Sequence, residues 1–281
     1  MSKKKYAVIG HPIGHTMSPF IHSRLFELSG IEAEYSVMDI PVGELEKSYK
    51  ETLSGLDGFN ITIPHKTEII PFLSSLDRKA EMYGSVNTVD TDGKGYTTDP
   101  DGFIKALGAY GVKPDGNVVI VGTGGVARIM AFEAAKAGAN ITIAVRHEDI
   151  HMVSALACEI LDKTIHPAVS TCYIDRIEKL DKDIDLLVNA TPVGMYPNAD
   201  NMAVNESIIE KSKVVFDAVY NPLETKLIKT AKKMGKTAIG GMSMLVWQAV
   251  ESHRIWDGSV YDKKDIEKLC EDAAAELEKI F

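Results

Sequence analysis

The sequence has few cysteines, no long apolar run and no surplus of basic charge, and each scarcity closes off a class of protein. The three cysteines among 281 residues, Cys158, Cys172 and Cys270, are odd in number, far apart and free of CxxC or Cys/His spacing. That argues against a disulfide scaffold and a thiolate metal centre, and the thiols are expected to be reduced and buried. No apolar stretch approaches the ~20 residues that span a bilayer. The opening, MSKKKYAVIG, passes from a lysine cluster straight into a strand pattern, so a cytoplasmic protein without a targeting segment is expected. Lys and Arg number 31 against 40 Asp and Glu, for a net charge of −9, and beyond the lysines at 3–5 the basic residues are scattered. No nucleic-acid footprint follows, and an anionic small substrate would need a local cationic pocket.

With 45% apolar and 25% charged residues, the chain is long enough for two domains with separate cores. Strand patterns at 5–9, 33–39 and 58–63 alternate with helical ones at 18–29 and 44–54, which reads as βαβ units on a parallel sheet. Ser18 suits an N-cap, with Pro19 at the first helical position and Gly30 just past the end. After the turn-rich DTDGKGYTTDPDG and a helix over about 101–110, the pattern restarts: strand 118–121, a glycine-rich turn, a helix to Ala137 stopped by Gly138, and strand 141–145. Strands at 185–189 and 214–217 extend this second sheet. Ile266, Leu269, Ala273 and Leu277 give 263–280 the apolar stripe of a packed amphipathic helix.

GTGGVA, residues 122–127, matches G-x-G-x-x-G/A in the context the motif requires, between a β-branched strand and a helix within one βαβ unit. Gly122 permits the tight turn, Gly124 lets a pyrophosphate approach the backbone, and Ala127 is small enough for close helix–strand packing. The second strand ends Val145-Arg146-His147-Glu148-Asp149, with no acid at its end and an arginine next, which favours NADP over NAD. Arg146 also suits a solvated surface, and Glu148 or Asp149 would repel a phosphate if it folded back.

The first half carries the unusual polar positions. GHPIGHTMSP sets Thr16 and Ser18 before a helix, where hydroxyls and free N–H groups can hold a carboxylate or Ser18 can simply cap. His11 and His15 are four apart, but in a loop they make a poor metal pair. In FNITIPHK, residues 59–66, a short strand with Thr62 on it runs into Pro64 and then presents His65 and Lys66 at the carboxyl end of a strand, where α/β sheets bind ligands. Position alone leaves the two side chains level. A lysine there can transfer a hydroxyl proton or stabilise a developing alkoxide. Asn87 in SVNT and Asp99 in TTDPDG suit either turns or a site. NATPVGM follows strand 185–189 at the edge suited to a cofactor, and Tyr220 and Gln248 lie in VYNPLETK and GGMSMLVWQA.

Taken together, GHPIGHTMSPFIHS, NITIPHK, SVNT, GYTTD, VGTGGVAR, NATPVGM, DAVYNPLET and GGMSMLVWQA, all in order along nearly the whole chain, resemble the shikimate dehydrogenase family. The resemblance implies an α/β protein of two domains. Residues 1–104 would be an N-terminal substrate-binding, catalytic domain on which helices within 242–281 pack back, and 105–241 a C-terminal Rossmann domain for NADP. It implies reversible reduction of 3-dehydroshikimate to shikimate, an oxidoreductase step of aromatic amino acid biosynthesis. Lys66 and Asp99 would be the catalytic pair, His65 a neighbour able to tune Lys66, and Thr16, Ser18, Thr62, Asn87, Tyr220 and Gln248 the substrate contacts. Gly122, Gly124, Gly125, Val126, Ala127 and Arg146, with Ala218 and Gly241, would hold the cofactor, and no metal is implied. Shikimate or 3-dehydroshikimate is then the small-molecule partner, without nucleic acid or membrane, and a homodimer is compatible. Departures from the family pattern keep alternatives open. Thr16 stands where serine is usual, an asparagine and a glycine are missing around Asp99, and Val145, His147 and Ile150 replace phosphate-holding groups. A quinate or dual quinate/shikimate dehydrogenase using NAD is one rival. A non-catalytic ligand sensor is another, against which the intact Lys66 and Asp99 argue.

Overall fold

A computed structural model describes residues 3–14, 16–165 and 168–280, so His15 lies outside the described residues. The chain forms two compact units, Met1–Gly102 with Val246–Phe281, and Phe103–Leu245.

The first unit begins β1 (Lys4–Gly10), α1 (Ser18–Ser29), β2 (Ala33–Asp39), α2 (Leu45–Glu51), β3 (Gly58–Ile61) and α3 (His65–Glu68). It continues with β4 (Ser75–Leu76), α4 (Arg78–Tyr83), β5 (Thr88–Asp90), β6 (Lys94–Tyr96) and the first turn of α5 (Asp99–Gly108), whose remaining residues belong to the second unit. Its six-stranded sheet runs β2-β1-β3-β5-β6-β4. The sheet is mixed, where βαβ alternation predicts a parallel one: β5 pairs antiparallel with both β3 and β6. The cause is local. Only three residues join β5 to β6, too few for a crossover, and the Asp90 carboxylate accepts the N–H groups of Asp92 and Lys94 at 3.0 and 2.9 Å while Gly93 takes φ +73°. The turn-rich stretch is thus a hairpin.

Helix α1 starts one residue earlier than the capping pattern implies. Met17 is its N-cap, without a side-chain bond, and Ser18 is the first helical residue because its N–H is taken by Thr16 Oγ1 at 3.2 Å. Gly30, at φ 68°, closes the helix as expected. Ile9, Leu53, Phe59, Ile61, Ile69 and Val89 form the core of this unit. A second apolar cluster stacks Tyr6 on Phe26 and on Trp256. The Trp256 indole donates to Val89 O at 2.9 Å over Gly58, where a Cβ would lie 2.4 Å from the indole nitrogen.

In the second unit follow β7 (Asn117–Val121), α6 (Gly125–Lys136), β8 (Asn140–Val145), α7 (Ile150–Lys163), β9 (Ala168–Tyr173), β10 (Ile184–Asn189), α8 (Glu206–Glu210), β11 (Ser212–Asp217), α9 (Lys226–Lys233) and β12 (Thr237–Ile239). The sheet is wholly parallel in the order β12-β11-β10-β7-β8-β9, the doubly wound dinucleotide-binding order, with its switch point between β7 and β10. Its central strands β7, β8, β10 and β11 are near-continuous apolar runs because both faces are covered, whereas the edge strand β9 is largely exposed. On α7, Val153, Leu156 and Ile160 face inward, so Cys158 points out. Cys158 is exposed, and Cys172 and Cys270 are partly so, which corrects the expectation that the free thiols are buried. Helices α10 (Met242–Asp257) and α11 (Lys263–Ile280) complete the chain, and α11 buries the four predicted stripe residues.

Candidate active site

Strand direction gathers the polar residues of the first unit at one sheet edge. β1 and β3 are parallel, so the loops carrying Thr16 and Lys66 leave at their carboxyl ends. β5 runs the other way, so Asn87, just before it, returns to that edge, and β6 reverses again to deliver Thr98 and Asp99 there. Thr62 lies just past β3, its N–H donating to Ile9 O at 2.9 Å.

The Lys66 ammonium donates to Asp99 Oδ2 at 2.6 Å, with the lysine side chain 25% exposed and the aspartate 9%. Asp99 opens α5, where a carboxylate is favoured by the helix N-terminus. Its other oxygen accepts from the Asn87 amide at 2.8 Å. The amide orientation is fixed by chemistry: Asn87 Oδ1 accepts the Thr98 backbone N–H at 2.8 Å, so its nitrogen must face Asp99. That nitrogen also reaches Thr98 Oγ1 at 2.9 Å and Gln248 Oε1 at 3.3 Å. The structure therefore brings Lys66, Asp99, Asn87 and Gln248 into one array with a partly exposed ammonium at its end.

His65 has no bond with its neighbour Lys66. The buried ring uses Nε2 against Ile40 O at 2.7 Å and Nδ1 against Glu68 at 3.2 Å, pinning the start of α3. With both nitrogens taken elsewhere, its role is to fix the backbone that carries Lys66.

Thr16 and Ser18 sit together, Thr16 Oγ1 donating to Ser18 Oγ at 3.1 Å. Sequence reasoning missed what links them to the array. Ser18 hydrogen-bonds the Tyr35 phenol, which burial holds well above its usual pKa. Tyr35 donates to Asn60 Oδ1 at 2.7 Å. The Asn60 amide reaches Asn87 O, Thr88 Oγ1 and Ser252 Oγ at 3.2, 3.1 and 3.0 Å. One signal for this was available: Asn60 is a polar residue in the middle of a short apolar strand, which needs buried partners.

In the second unit, Gly122 turns at φ +115° against Thr191, where a Cβ would lie 2.9 Å from the threonine methyl. Gly124 caps α6 without a side chain, and a Cβ on Gly124 or Gly125 would meet open space. Val126 is partly buried and Ala127 fully so. The first N–H groups of α6 are thereby left facing an uncovered glycine turn, which fits a pyrophosphate. Arg146 follows β8 and is 65% exposed, but both nearby acids have folded onto it, Asp149 at 2.9 Å and Glu148 at 3.1 Å. Its pKa is raised, first through the hydrogen bond to Asp149. Tyr220 lies in the loop after β11, its phenol pKa raised by burial. Gly241 lies after β12, where a Cβ would come 2.3 Å from Ala218 O, so only glycine allows these backbones to approach.

Comparison with known proteins agrees with this architecture. The family description "Shikimate dehydrogenase substrate binding domain" matches residues 8–89. A shikimate dehydrogenase (NADP(+)) of Methanocaldococcus jannaschii is 40% identical over 269 residues, 91% of this chain and 92% of the relative. One from Caldanaerobacter subterraneus subsp. tengcongensis is 36% identical over 265 residues, 92% of this chain and 94% of the relative. Among solved structures, a shikimate dehydrogenase in complex with NADP+ superposes with a TM-score of 0.86 at 37% identity, covering 96% of this chain and 95% of that one. The Thermus thermophilus enzyme in complex with NADP(H) and shikimate gives 0.84 at 30% identity, covering 96% and 99%.

Proposed function

Because this chain belongs to the shikimate dehydrogenase family, we propose that it catalyses the reversible NADP-dependent reduction of 3-dehydroshikimate to shikimate, with Lys66 and Asp99 as its catalytic pair. The observation that carries the assignment of residues is the Lys66–Asp99–Asn87 array, a cation on a fixed anion at a sheet edge where ligands bind. Lys66 faces the oxygen that is hydroxyl in one direction and carbonyl in the other. It stabilises negative charge developing there and passes the proton. Asp99 aims the ammonium, and Asn87 holds Asp99. Thr16 and Ser18 take the substrate carboxylate, and Thr62, Asn87, Tyr220 and Gln248 take its ring hydroxyls.

The cofactor supplies the redox chemistry, a hydride exchanged at the nicotinamide. The glycine turn of Gly122, Gly124 and Gly125, with Val126 and Ala127, would hold the pyrophosphate, Arg146 the 2′-phosphate, and Ala218 and Gly241 the nicotinamide half. Residues 1–104 with the C-terminal helices act as the substrate domain and 105–241 as the cofactor domain. Among the described residues no helix is long and apolar enough to cross a membrane. A cytoplasmic enzyme, and a homodimer measurable by analytical ultracentrifugation, belong to the same reading.

A second reading, a dual quinate/shikimate enzyme that also accepts NAD, is favoured by Glu148 and Asp149 on Arg146, which compete with a 2′-phosphate. Measuring kcat/KM for shikimate and quinate, each with NADP and NAD, tests both. The first reading expects shikimate with NADP to lead by at least about tenfold, some 1.4 kcal/mol of transition-state binding. Parity of the four combinations would establish the second, and no turnover in any of them would overturn both.

A further inference from the structure

One buried charge lies outside the roles assigned so far. Asp217, the last residue of β11, has no exposed surface. Its Oδ1 accepts from Asn189 Nδ2 at 2.9 Å and from the Val219 N–H at 3.1 Å, and its Oδ2 accepts from Thr225 Oγ1 at 2.6 Å. All three donors are neutral. Burial raises the carboxyl pKa to about 6, which still leaves it ionised at neutral pH. A buried anion facing only neutral donors costs stability, and a neutral amide in the same shape would keep most of these hydrogen bonds. The negative charge itself therefore calls for a reason other than folding.

Its place in the sheet supplies one. The switch point between β7 and β10 divides the sheet into two mononucleotide halves. The glycine turn and Arg146 belong to the β7–β8 half, which takes the adenosine end. β10, β11 and β12 form the half for the nicotinamide end, and Asp217 lies at the carboxyl end of its middle strand, next to the Ala218–Gly241 approach. The nicotinamide ring is a cation when oxidised and neutral when reduced. We propose that the buried Asp217 carboxylate favours the oxidised over the reduced cofactor through its charge. In the direction of reduction, the C4–H bond of the nicotinamide breaks with its electron pair going to the substrate's carbonyl carbon, and positive charge grows on the ring. A fixed anion in the protein lowers the cost of that charge without moving.

The test measures the dissociation constants of NADP+ and NADPH by calorimetry at pH 8, for the whole chain and for Asp217→Asn. The variant is expected to weaken NADP+ relative to NADPH by about three- to tenfold. It should leave 2′-phospho-ADP-ribose, which lacks the nicotinamide, unchanged. An unaltered oxidised-to-reduced ratio, or an equal loss for all three ligands, overturns the proposal. If Asp217→Asn does not fold, the wild-type ratio is compared at pH 8 and about pH 5.5 by stopped-flow fluorescence, across the titration of Asp217. The 2′-phosphate cancels in that ratio because both forms carry it. Of the titratable groups in the adjoining loop and helix start, Glu224 and Lys226 are exposed, and Tyr220 is held above its usual pKa. A ratio independent of pH overturns the proposal there. The inference rests on the NADP reading, and the two fail differently: wild type that binds neither form refutes that reading.

Discussion

At the scale of single residues, function rests on side chains whose partners are fixed beforehand. Lys66 keeps one face to Asp99 and remains partly exposed, so it has a free direction in which to meet a substrate oxygen. Removing one acid–base group typically costs about 10²–10⁴ in rate. Lys66→Ala is therefore expected to lower kcat at least about a hundredfold with the dissociation constant of NADP nearly unchanged, a split read by steady-state kinetics beside calorimetry. Near-wild-type turnover would remove Lys66 from the chemistry. Position in the sequence could not separate His65 from Lys66. Burial separates them: one ring has both nitrogens committed to Ile40 and Glu68, and the other side chain brings its ammonium to the Asp99 carboxylate at the site. Tyr35 and Ser252 stayed silent in the sequence because a tyrosine on an alternating strand or a serine on a helix is ordinary until its neighbour across the fold is known.

At the scale of elements, short turns decide what the strands present. The three-residue β5–β6 hairpin reverses the sheet and brings Asn87 and Asp99 to the edge where Lys66 emerges. The glycine turn works by what it leaves out. Gly122→Ala would place a Cβ at φ +115° and 2.9 Å from Thr191, a conformation that costs an ordinary residue about 1–2 kcal/mol before any clash. That variant should bind NADP at least about tenfold more weakly by calorimetry. The urea midpoint of the first unit, followed by tryptophan fluorescence, should stay where it is, since both tryptophans, Trp247 and Trp256, belong to that unit. Retained affinity would mean that the pyrophosphate does not use this turn.

At the scale of the whole molecule, the two units should respond to acid in opposite directions. In the first, His22 and His253 are buried against each other at 3.1 Å, and burial drives His22 well below its usual pKa and His253 to about 3. The unfolded chain binds protons there below about pH 6.5 and the folded one does not, so this stability is present above 6.5 and lost as pH falls. His253 alone accounts for about 2 kcal/mol between pH 7 and 5. In the second unit Asp217 has the reverse sign: its pKa is raised to about 6, so its contribution is full below the ordinary carboxylate value and lost as pH rises through 6. Between pH 7 and 5 that gains the second unit roughly 1–2 kcal/mol. At pH 5 the tryptophan-monitored urea midpoint should fall, while amide exchange in β10 and β11 slows relative to its intrinsic rate. Both changing in the same direction would contradict these assignments.

What the sequence by itself determined is whatever short-range pattern carries. The alternation of strands and helices, the glycine turn between strand and helix, the closing glycines and the order of the motifs are written in neighbouring residues, and they led to the α/β class and the family. The tertiary structure alone decided the rest. Strand order and direction turned three separate chain segments into one Lys66–Asp99–Asn87 array. The same ordering joined Ser18 to Asn60 through Tyr35 and buried Asp217 beneath the second sheet's edge. These features depend on which strands become neighbours and on where side chains find partners across tens of residues, and no local pattern encodes such a distance.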